Sequence, residues 1–349
     1  MASPGSVQVL NPLEQRDWDA AFPAEFPVTA FHTAEWAQVL HSTYGHRPLY
    51  LAIGEPGRIS ALLPLMEVSS PFTGRRGVSL PFTDSCAVLE VSPGVAGPLY
   101  QKAIELGKER GWRYLECRHQ CPAWTGATPS VSFCNHELAL SNDEASLYKQ
   151  MTSSRRGAVR KVEQAGVLRL EIGQDEAAIR TFYELHCGTR QRHGVPPQPY
   201  RFFQNIARLM LAKDKGIVVT AFEGSKPVAS AVFFHHRNRA IYKFSASDFA
   251  FQLLRPNDLV MWGAIKHFAA RGFVSLDFGR SSSTNEGLRR FKAGFGAVET
   301  TLDYHRYDFR SGAFAKDPDR EEGWVNQIFT RTPVPILRWL GSRLYPHLS

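Results

Sequence analysis

Hydrophobic and polar residues follow one another along the chain in a pattern that predicts short helices and strands. After Thr33, a residue type that commonly caps helices, apolar positions recur at helical spacing through AEWAQVLHSTYG. Two strand-like runs then flank the turn signal GEPGR, and GVSLPF is typical of a further short strand. A second helix is predicted to end at Gly111, and WRYLECRH predicts the strand after it.

The second half of the sequence repeats this order of elements. Two strand-like runs flank EGSKP, AIYKFSASD predicts another strand, and a helix with Asn257 or Asp258 near its start ends at Gly272. The strand FVSLDFG follows, and ERGWRYLECR aligns with ARGFVSLDFG so that Glu116 corresponds to Asp277. The shared order indicates a duplication within the chain.

The duplication predicts two similar α/β units, with the cleft between them as the natural place for a site. We expect an irregular lead-in over residues 1–30, a first domain over 31–145, a second over 146–310 and a tail over 311–349. A charged helical stretch, SNDEASLYKQMTSSRRGAVRKVEQAGV, lies between the two units. The apolar tail PVPILRWLGSRLYPHLS is expected to pack on its own domain, the alternative being a membrane surface.

Composition narrows the class of protein. The 349 residues are 43% hydrophobic, enough for a sizeable core, and the formal net charge of +8 favours an anionic partner. No apolar run reaches the roughly 18 residues that a membrane helix needs, so we expect no stable membrane insertion. The first residues show no secretory signal, and five Cys, an odd number, favour a reducing compartment. We therefore expect a cytoplasmic protein.

Basic residues concentrate in the middle and second half of the chain. Arg side chains suit phosphate or carboxylate and Lys suits a point anion, although each cluster is also compatible with a solvated surface. The three clusters are Arg155, Arg156, Arg160 and Lys161; then Arg190, Arg192 and His193; then Arg280, Arg289, Arg290 and Lys292. The second cluster is predicted to lie in a loop after a helix.

The stretch GLRRFKAGFGA, residues 287–297, predicts a basic loop in which glycines free the backbone beside an anion. Just before it, Asp277 ends a strand, and open α/β sheets place ligands at that end. The alternative is a carboxylate that caps the next turn. Asp277 and Asp84 are the candidate general bases.

Several catalytic chemistries lack their usual motifs. The chain has no G-x-S-x-G elbow, P-loop, dinucleotide-binding fingerprint or H-E-x-x-H. The candidate ligands of a metal site are Cys117, His119, Cys121, Cys134 and His136. The spacings differ from the common zinc pairs, and the first three would alternate along a strand as half-buried packing does. The sequence therefore predicts no bound metal.

One stretch resembles a known family. LDFGRSSSTNEGLRRFKAGFGA is similar to the closing motif of the FemABX-like acyltransferases, the peptidoglycan-bridge aminoacyltransferases and their relatives. The family element R-F-K-x-G-F stands here as Arg290, Phe291, Lys292, Gly294 and Phe295. SSRRGAVRKVEQAGV and CGTRQRHGVPPQPYRFF resemble further family segments, the second matching at Thr189 and Arg192, as do FHTAEWAQVL and GVSLPFTD. The resemblance runs from about residue 31 to about 310.

The resemblance implies two tandem GNAT folds, each a mixed, mostly antiparallel sheet flanked by helices. It also implies transfer of an acyl or aminoacyl group to an amine, from aminoacyl-tRNA or acyl-CoA as donor and with no permanently bound cofactor. By the matching motif, Phe291 and Lys292 lie at the transfer centre and Arg192 binds a phosphate of the acceptor. The full set of substrate-binding candidates is Arg192, Thr189, Arg280, Arg290, Asp84, Tyr242 and Asn257.

The sequence departs from the family at three points. EWAQVL lacks the Lys that the muropeptide enzymes are expected to carry, which counts against a nucleotide-muropeptide acceptor. No long heptad arm interrupts the second domain, and the acetyl-CoA loop Q/R-x-x-G-x-G/A is absent in clean form. The acceptor is then an amine of a cell-wall, polysaccharide or small-metabolite compound. The alternative is a non-catalytic protein that binds RNA or a nucleotide sugar in a basic interdomain cleft.

Overall fold

The computed structural model describes residues 6–55, 57–124, 126–316 and 324–348. The helices of these residues are α1 (Ala34–Tyr44), α2 (Gly97–Glu109), α3 (Glu144–Gln150), α4 (Ser153–Ala165), α5 (Glu176–Arg192), α6 (Tyr200–Leu209), α7 (Pro256–Ala270), α8 (Glu286–Gly294), α9 (Trp324–Arg331) and α10 (Val334–Leu344). The strands are β1 (Gln8–Leu10), β2 (Arg47–Pro48), β3 (Tyr50–Glu55), β4 (Arg58–Leu63), β5 (Met66–Ser70), β6 (Gly74–Val78), β7 (Leu89–Glu90), β8 (Tyr114–Cys117), β9 (Val131–Ala139), β10 (Leu168–Gly173), β11 (Gly216–Glu223), β12 (Lys226–His236), β13 (Arg239–Ser247), β14 (Ser275–Asp277), β15 (Val298–Asp308) and β16 (Ala313–Phe314).

The described residues fall into two compact units. Unit 1 takes those within Met1–Phe133, Thr301–Asp319 and Leu344–Ser349, and unit 2 takes those within Cys134–Thr300 and Arg320–Arg343. The sequence predicts domains that are continuous segments, whereas each unit of the structure combines separate segments of the chain. The structure assigns part of the predicted tail to each unit.

Unit 1 contains strands of two sheets. One has the strand order β1-β3-β4-β7, and the other contains the run β15-β8-β6-β5-β2, in which β6 and β8 are parallel and the remaining pairs are antiparallel. Thr33 caps α1 as predicted, since its side chain accepts a hydrogen bond from the backbone N–H of Trp36. The lead-in was expected to be irregular, but it contains β1, which pairs with β3.

Unit 2 contains the strand run β10-β11-β12-β13-β14-β9. These pairs are antiparallel except for β13 and β14, which are parallel, so the sheet is mixed and mostly antiparallel as predicted. Helix α7 supplies much of the core through Trp262 and Phe268, both of which are fully buried. Because α7 is apolar on nearly every side, it lies buried against the sheet.

The two predicted duplicate segments have the same local structure. Gly111 and Gly272 both follow a helix with positive φ angles of 64° and 77°, a conformation that glycine adopts without strain. In each case a buried aromatic residue and a short strand follow, and that strand pairs in parallel with an earlier one. The alignment of Glu116 with Asp277 therefore reflects equivalent positions at the ends of β8 and β14.

Three local predictions were wrong. Residues 287–297 were expected to form a loop, but most of them lie in α8, which Asn285 caps by accepting a hydrogen bond from Leu288 N–H. The second basic cluster was also expected in a loop, but α5 continues through Arg192. The strand predicted for GVSLPF ends at Val78, because Leu80 and Phe82 adopt positive φ angles of 63° and 57°.

The apolar tail forms α10 and contacts unit 2. Leu337 is fully buried, and the Arg338 guanidinium lies 5.1 Å from the centre of the Tyr183 ring. A Cβ atom at Gly341 would approach the Pro197 carbonyl oxygen to 1.9 Å, so only glycine allows this close packing. No described helix combines the length and the apolar character that crossing a membrane requires.

Close packing in unit 1 gives the first prediction. Replacing Gly77 by Ala would place a Cβ atom 2.2 Å from the Trp112 ring, which a hydrogen bond from its indole N–H to Glu67 holds in place. We expect Gly77→Ala to lower the free energy of unfolding by about 1–3 kcal/mol in urea titrations followed by circular dichroism. Gly97→Ala is the control, because nothing lies within 4 Å of its Cβ position. Equal stability of the two variants would contradict the packing argument.

Candidate functional site

The Lys292 side chain points into unit 2 from the last turn of α8. It is only 2% exposed, and its ammonium group donates hydrogen bonds to the backbone oxygens of Gly279 (2.6 Å) and Arg280 (3.0 Å). A buried cation is costly unless hydrogen bonds compensate it, and these carbonyls do so. Lys292 therefore fixes α8 to the turn that follows β14.

Asp277 braces the same turn from its start. One carboxylate oxygen accepts a hydrogen bond of 2.7 Å from the Gly279 N–H, and Gly279 has a positive φ of 67°. This contact is the capping arrangement that the sequence left open as an alternative. A catalytic role for Asp277 stays a prediction.

Arg155 links α4 to both α7 and α8. Its guanidinium forms an ion pair with Asp258 in the first turn of α7 and lies 4.6 Å from the centre of the Phe291 ring and 4.9 Å from that of Phe295. A Cβ atom at Gly294 would lie 3.0 Å from the Arg155 Nε, so glycine leaves room for the guanidinium. From the sequence, the cluster that contains Arg155 is also compatible with a solvated helix face. The aromatic partners of Arg155 are far away in the sequence and give no local signal.

Strand β13 has a partly unpaired edge. It pairs with β14 only over residues 239–241, and among the described residues 242–247 have a strand partner in β12 alone. The register with β12 also shifts between Tyr242 and Phe244, which makes Lys243 the extra residue of a bulge. Diverging strands and a bulge expose backbone N–H and C=O groups that a bound molecule can use.

Tyr242 stands where β13 leaves β14. Its ring packs on Phe233 and Phe278, with ring centres 5.3 and 6.1 Å apart. Burial raises the pKa of Tyr242 to about 12, so the phenol keeps its proton at neutral pH. Tyr242 can therefore donate a hydrogen bond at this position.

Three of the predicted substrate-binding residues converge on Ser247, the last residue of β13. Thr189 exchanges two hydrogen bonds with the Ser247 backbone, Arg192 donates to its carbonyl at 3.1 Å, and the Asn257 amide lies 3.4 Å from its hydroxyl. Arg192 and Ser247 also line a groove of about 500 Å³ together with Lys226 and Phe249. The structure thus brings together residues from α5, β13 and α7.

The start of α7 lies next to this convergence. Pro256 occupies the first helical position, and Arg255 before it makes no side-chain cap to the helix. A helix start carries partial positive charge and backbone N–H groups that suit phosphate. This end of α7, the unpaired edge of β13 and the groove together form the candidate site of unit 2.

Two other predicted residues lie elsewhere. Arg290 is exposed on α8, and its guanidinium lies 3.7 Å from the Glu286 carboxylate. Its Nε also donates a hydrogen bond to the Glu286 backbone oxygen. Asp84 belongs to unit 1, where its backbone oxygen accepts a hydrogen bond from Tyr304. Arg280 contributes its carbonyl to Lys292, as described above. The described contacts of Arg290 lie within α8, and a substrate-binding role for Arg290 and Asp84 stays a prediction.

The acidic residues at the equivalent positions of the two units differ in environment. Glu116 is buried between Arg118 and Arg306, at 2.7 and 2.6 Å, and although burial opposes ionisation these cations lower its pKa to about 2. Glu116 is therefore a charged structural residue of unit 1. Asp277 accepts a hydrogen bond from the Gly279 N–H and so caps a turn.

Sequence reasoning assigned no catalytic role to His136, which lies close to the Lys292 region. It is fully buried, and its Nε2 lies 3.0 Å from a Glu299 carboxylate oxygen. Burial and the nearby Lys292 charge lower the pKa of His136, so the imidazole is neutral at pH 7. Hydrogen bonds from Arg289 lower the pKa of Glu299 to about 2. The pattern CNHE alone carries no signal for this arrangement.

Comparison with known proteins agrees with this geometry. Residues 149–293, which hold the candidate site, match the family model described as an acetyltransferase (GNAT) domain. This part of the chain is therefore similar to a GNAT domain. No curated protein matches the sequence significantly.

Solved structures extend the GNAT likeness to most of the chain. FemX has a TM-score of 0.67 at 13% identity, covering 82% of this chain and 94% of FemX. The C-terminal domain of a putative lysylphosphatidylglycerol synthetase from Agrobacterium fabrum gives 0.53 at 12%, covering 77% and 86%. A tandem GNAT protein from the clavulanic acid biosynthesis pathway gives 0.50 at 12%, covering 90% and 99%. The predicted likeness to FemABX-like proteins and the tandem GNAT fold are therefore confirmed at the level of fold.

The Arg155–Asp258 ion pair of the GNAT domain gives a second prediction. Both side chains are largely shielded, with exposures of 15% and 8%, so Asp258→Asn leaves a poorly solvated guanidinium without its anion. We expect a loss of about 3–5 kcal/mol in the free energy of unfolding. The matched control is Glu286→Gln, which breaks an ion pair whose side chains are 75–79% exposed and should cost less than about 1 kcal/mol. Similar losses in both variants would contradict the assignment.

Proposed function

We propose that this protein transfers an acyl or aminoacyl group from an activated donor to an amine, with no covalent enzyme intermediate. The single observation that carries the proposal is the divergence of β13 from β14 beside the uncapped start of α7, inside a GNAT domain. A carbonyl group can pair with the free edge of β13 while a phosphate of the donor lies at the helix start. The convergence of Thr189, Arg192 and Asn257 on Ser247 supports this placement.

The reaction that fits this site is aminolysis of an ester or thioester. The amine nitrogen forms a bond to the carbonyl carbon, and the bond from that carbon to the ribose oxygen of aminoacyl-tRNA or to the sulfur of acyl-CoA breaks. The amine loses a proton and the leaving group gains one. Tyr242 is protonated at neutral pH and is our candidate for that proton donation.

In the proposed reaction, Lys292 and Phe291 position the turn after β14 and the neighbouring Arg155 guanidinium. Lys292 holds the carbonyls of Gly279 and Arg280, and Phe291 packs under the Arg155 guanidinium. The positive charge of Lys292 then favours the developing oxyanion through space, while its hydrogen bonds position the turn after β14. Asp277 braces that turn and remains a candidate for the general base.

The acceptor is proposed to be an amine of a cell-wall, polysaccharide or small-metabolite compound. Arg192 lines the open groove and carries the donor geometry that suits a phosphate on such an acceptor. The likeness to FemX and to a putative lysylphosphatidylglycerol synthetase domain supports aminoacyl-tRNA as donor, and the acetyltransferase description of the matched domain supports acyl-CoA.

A donor panel tests the proposal. We expect the melting temperature to rise either with aminoacyl-tRNA but not uncharged tRNA, or with one acyl-CoA but not free CoA, because ligands that bind only the folded protein stabilise it. The effective donor is then used in a transfer assay with amine acceptors. Salt-sensitive binding of charged and uncharged RNA alike, with no product from any acceptor, would favour the alternative of a non-catalytic RNA- or nucleotide-sugar-binding protein.

Replacement of Lys292 tests its part in the reaction. We expect Lys292→Met to lower kcat at least about a hundredfold, since removal of a preorganised charge typically costs about 3–4 kcal/mol in the barrier. Because two carbonyls lose their donor, the variant should also be less stable, so kcat is normalised to folded protein by circular dichroism. Arg169→Gln, at an exposed ion pair of β10, is the control. Near-normal turnover of folded Lys292→Met would remove Lys292 from the mechanism.

A further inference from the structure

A cluster of sulfur and imidazole groups lies in unit 1, apart from the residues used above. The ligand atoms of Cys117, His119 and Cys121 all lie within 4.8 Å of one another, and the three residues are at most 5% exposed. The sequence predicted that these residues alternate along a strand, but β8 ends at Cys117. The chain instead turns, and the Cys121 thiol contacts the His119 carbonyl at 3.4 Å. The turn brings together side chains that a continuous strand would have spread along one face.

His119 is held in the orientation that a metal ligand needs. Its Nε2 lies 2.9 Å from the Tyr100 hydroxyl, while its Nδ1 is buried and has no hydrogen-bond partner in the part of the chain that the structure describes. A buried imidazole nitrogen without a partner costs free energy, so the protein gains if an ion occupies it. Metal-bound histidines generally donate their other ring N–H to a fixed oxygen, as Nε2 can here to Tyr100.

A fourth candidate ligand faces the cluster from the neighbouring strand. His305 on β15 is the direct register partner of Cys117 on β8, and it is 6% exposed. Its Nδ1 is buried and has no hydrogen-bond partner among the described residues, although the 4.8 Å separation holds for the other three ligands only. The rings of Trp124 and Phe314 pack 6.1 and 6.4 Å from the His305 ring and keep the surroundings apolar.

We propose that unit 1 binds a zinc ion through Cys117, His119 and Cys121, with His305 as the fourth ligand. Two thiolates and two imidazoles are a common ligand set for tetrahedral Zn²⁺. With Zn–S bonds of about 2.3 Å and Zn–N bonds of about 2.0 Å, ligand atoms lie roughly 3.5–3.8 Å apart. Closing from 4.8 Å requires side-chain shifts of about 1 Å. Binding releases the two thiol protons to solvent.

The site would be structural rather than catalytic. All four ligands are buried, so no position is open to a substrate as a catalytic zinc requires. The ion would tie the turn after β8 to β15, two segments far apart in sequence. Binding energy of a site that exists only in the folded state adds directly to stability.

Metal content of the purified protein is the first test. We expect elemental mass spectrometry to find one zinc ion per chain, and the zinc content of Cys121→Ser to be at least about tenfold lower. Cys86→Ser is the matched control, since Cys86 is also a buried thiol of unit 1 but lies outside the cluster. Tyr100→Phe keeps all ligands and should weaken zinc binding about 10–100-fold through loss of the hydroxyl.

A second measurement keeps the proposal falsifiable if Cys121→Ser does not fold. Chelator treatment of the wild-type protein should lower its melting temperature, Zn²⁺ should restore it and Mg²⁺ should not. Co²⁺ added to the stripped protein should give the visible absorption of a tetrahedral thiolate site, and Cys86→Ser should behave as wild type. A wild-type protein that holds no zinc and takes up no Co²⁺, or one whose intact mass shows a Cys117–Cys121 disulfide, would overturn the proposal.

Discussion

The hydrogen bonds from the Lys292 ammonium to the Gly279 and Arg280 carbonyls are the constraint on which the candidate site depends. The backbone that leaves β14 also hydrogen-bonds to β9, through the Phe278 N–H and through a bridge between Ser281 and Cys134. The Lys292 ammonium then connects this backbone to α8. If the distance between the buried ammonium and the Gly279 and Arg280 carbonyls increased, both would lose their hydrogen bonds in an apolar environment, which costs free energy. Lys292 thus connects α8 to the turn after β14, while Arg155 packs on Phe291.

The same constraint explains why β13 has a free edge. With the chain after Asp277 turned toward α8, it cannot continue alongside β13 as a strand. The bulge at Lys243 then adds local twist at the point where pairing stops. The second half of β13 therefore has backbone hydrogen-bonding groups along one edge, and the start of α7 lies nearby. Hydrogen bonds from Thr189 and Arg192 to Ser247 hold the end of this strand.

The sequence predicts the elements better than the site. Periodic apolar positions and cap residues such as Thr33 act over a few residues, so the sequence predicts elements such as α1 and α7, whereas it predicts a loop where α8 forms. The glycines of residues 287–297 favour a loop when only the sequence is considered, whereas Gly294 lies in α8 and makes room there for the Arg155 guanidinium. Likewise the partners of Arg155 and His136 are more than a hundred residues away, and no local pattern encodes them.

The duplication shows how one backbone position can take different chemistry in each unit. The chain that leaves β8 turns into a cluster of thiols and imidazoles, and the chain that leaves β14 turns into a loop braced by Lys292. In both cases a very short strand ends in a buried turn whose polar groups need a partner from outside the turn. A cation does so in the second unit, and the proposed zinc ion would do so in the first. Because the fold fixes only where the strand ends, the side chains beyond that point decide whether the position stabilises the protein or supports transfer.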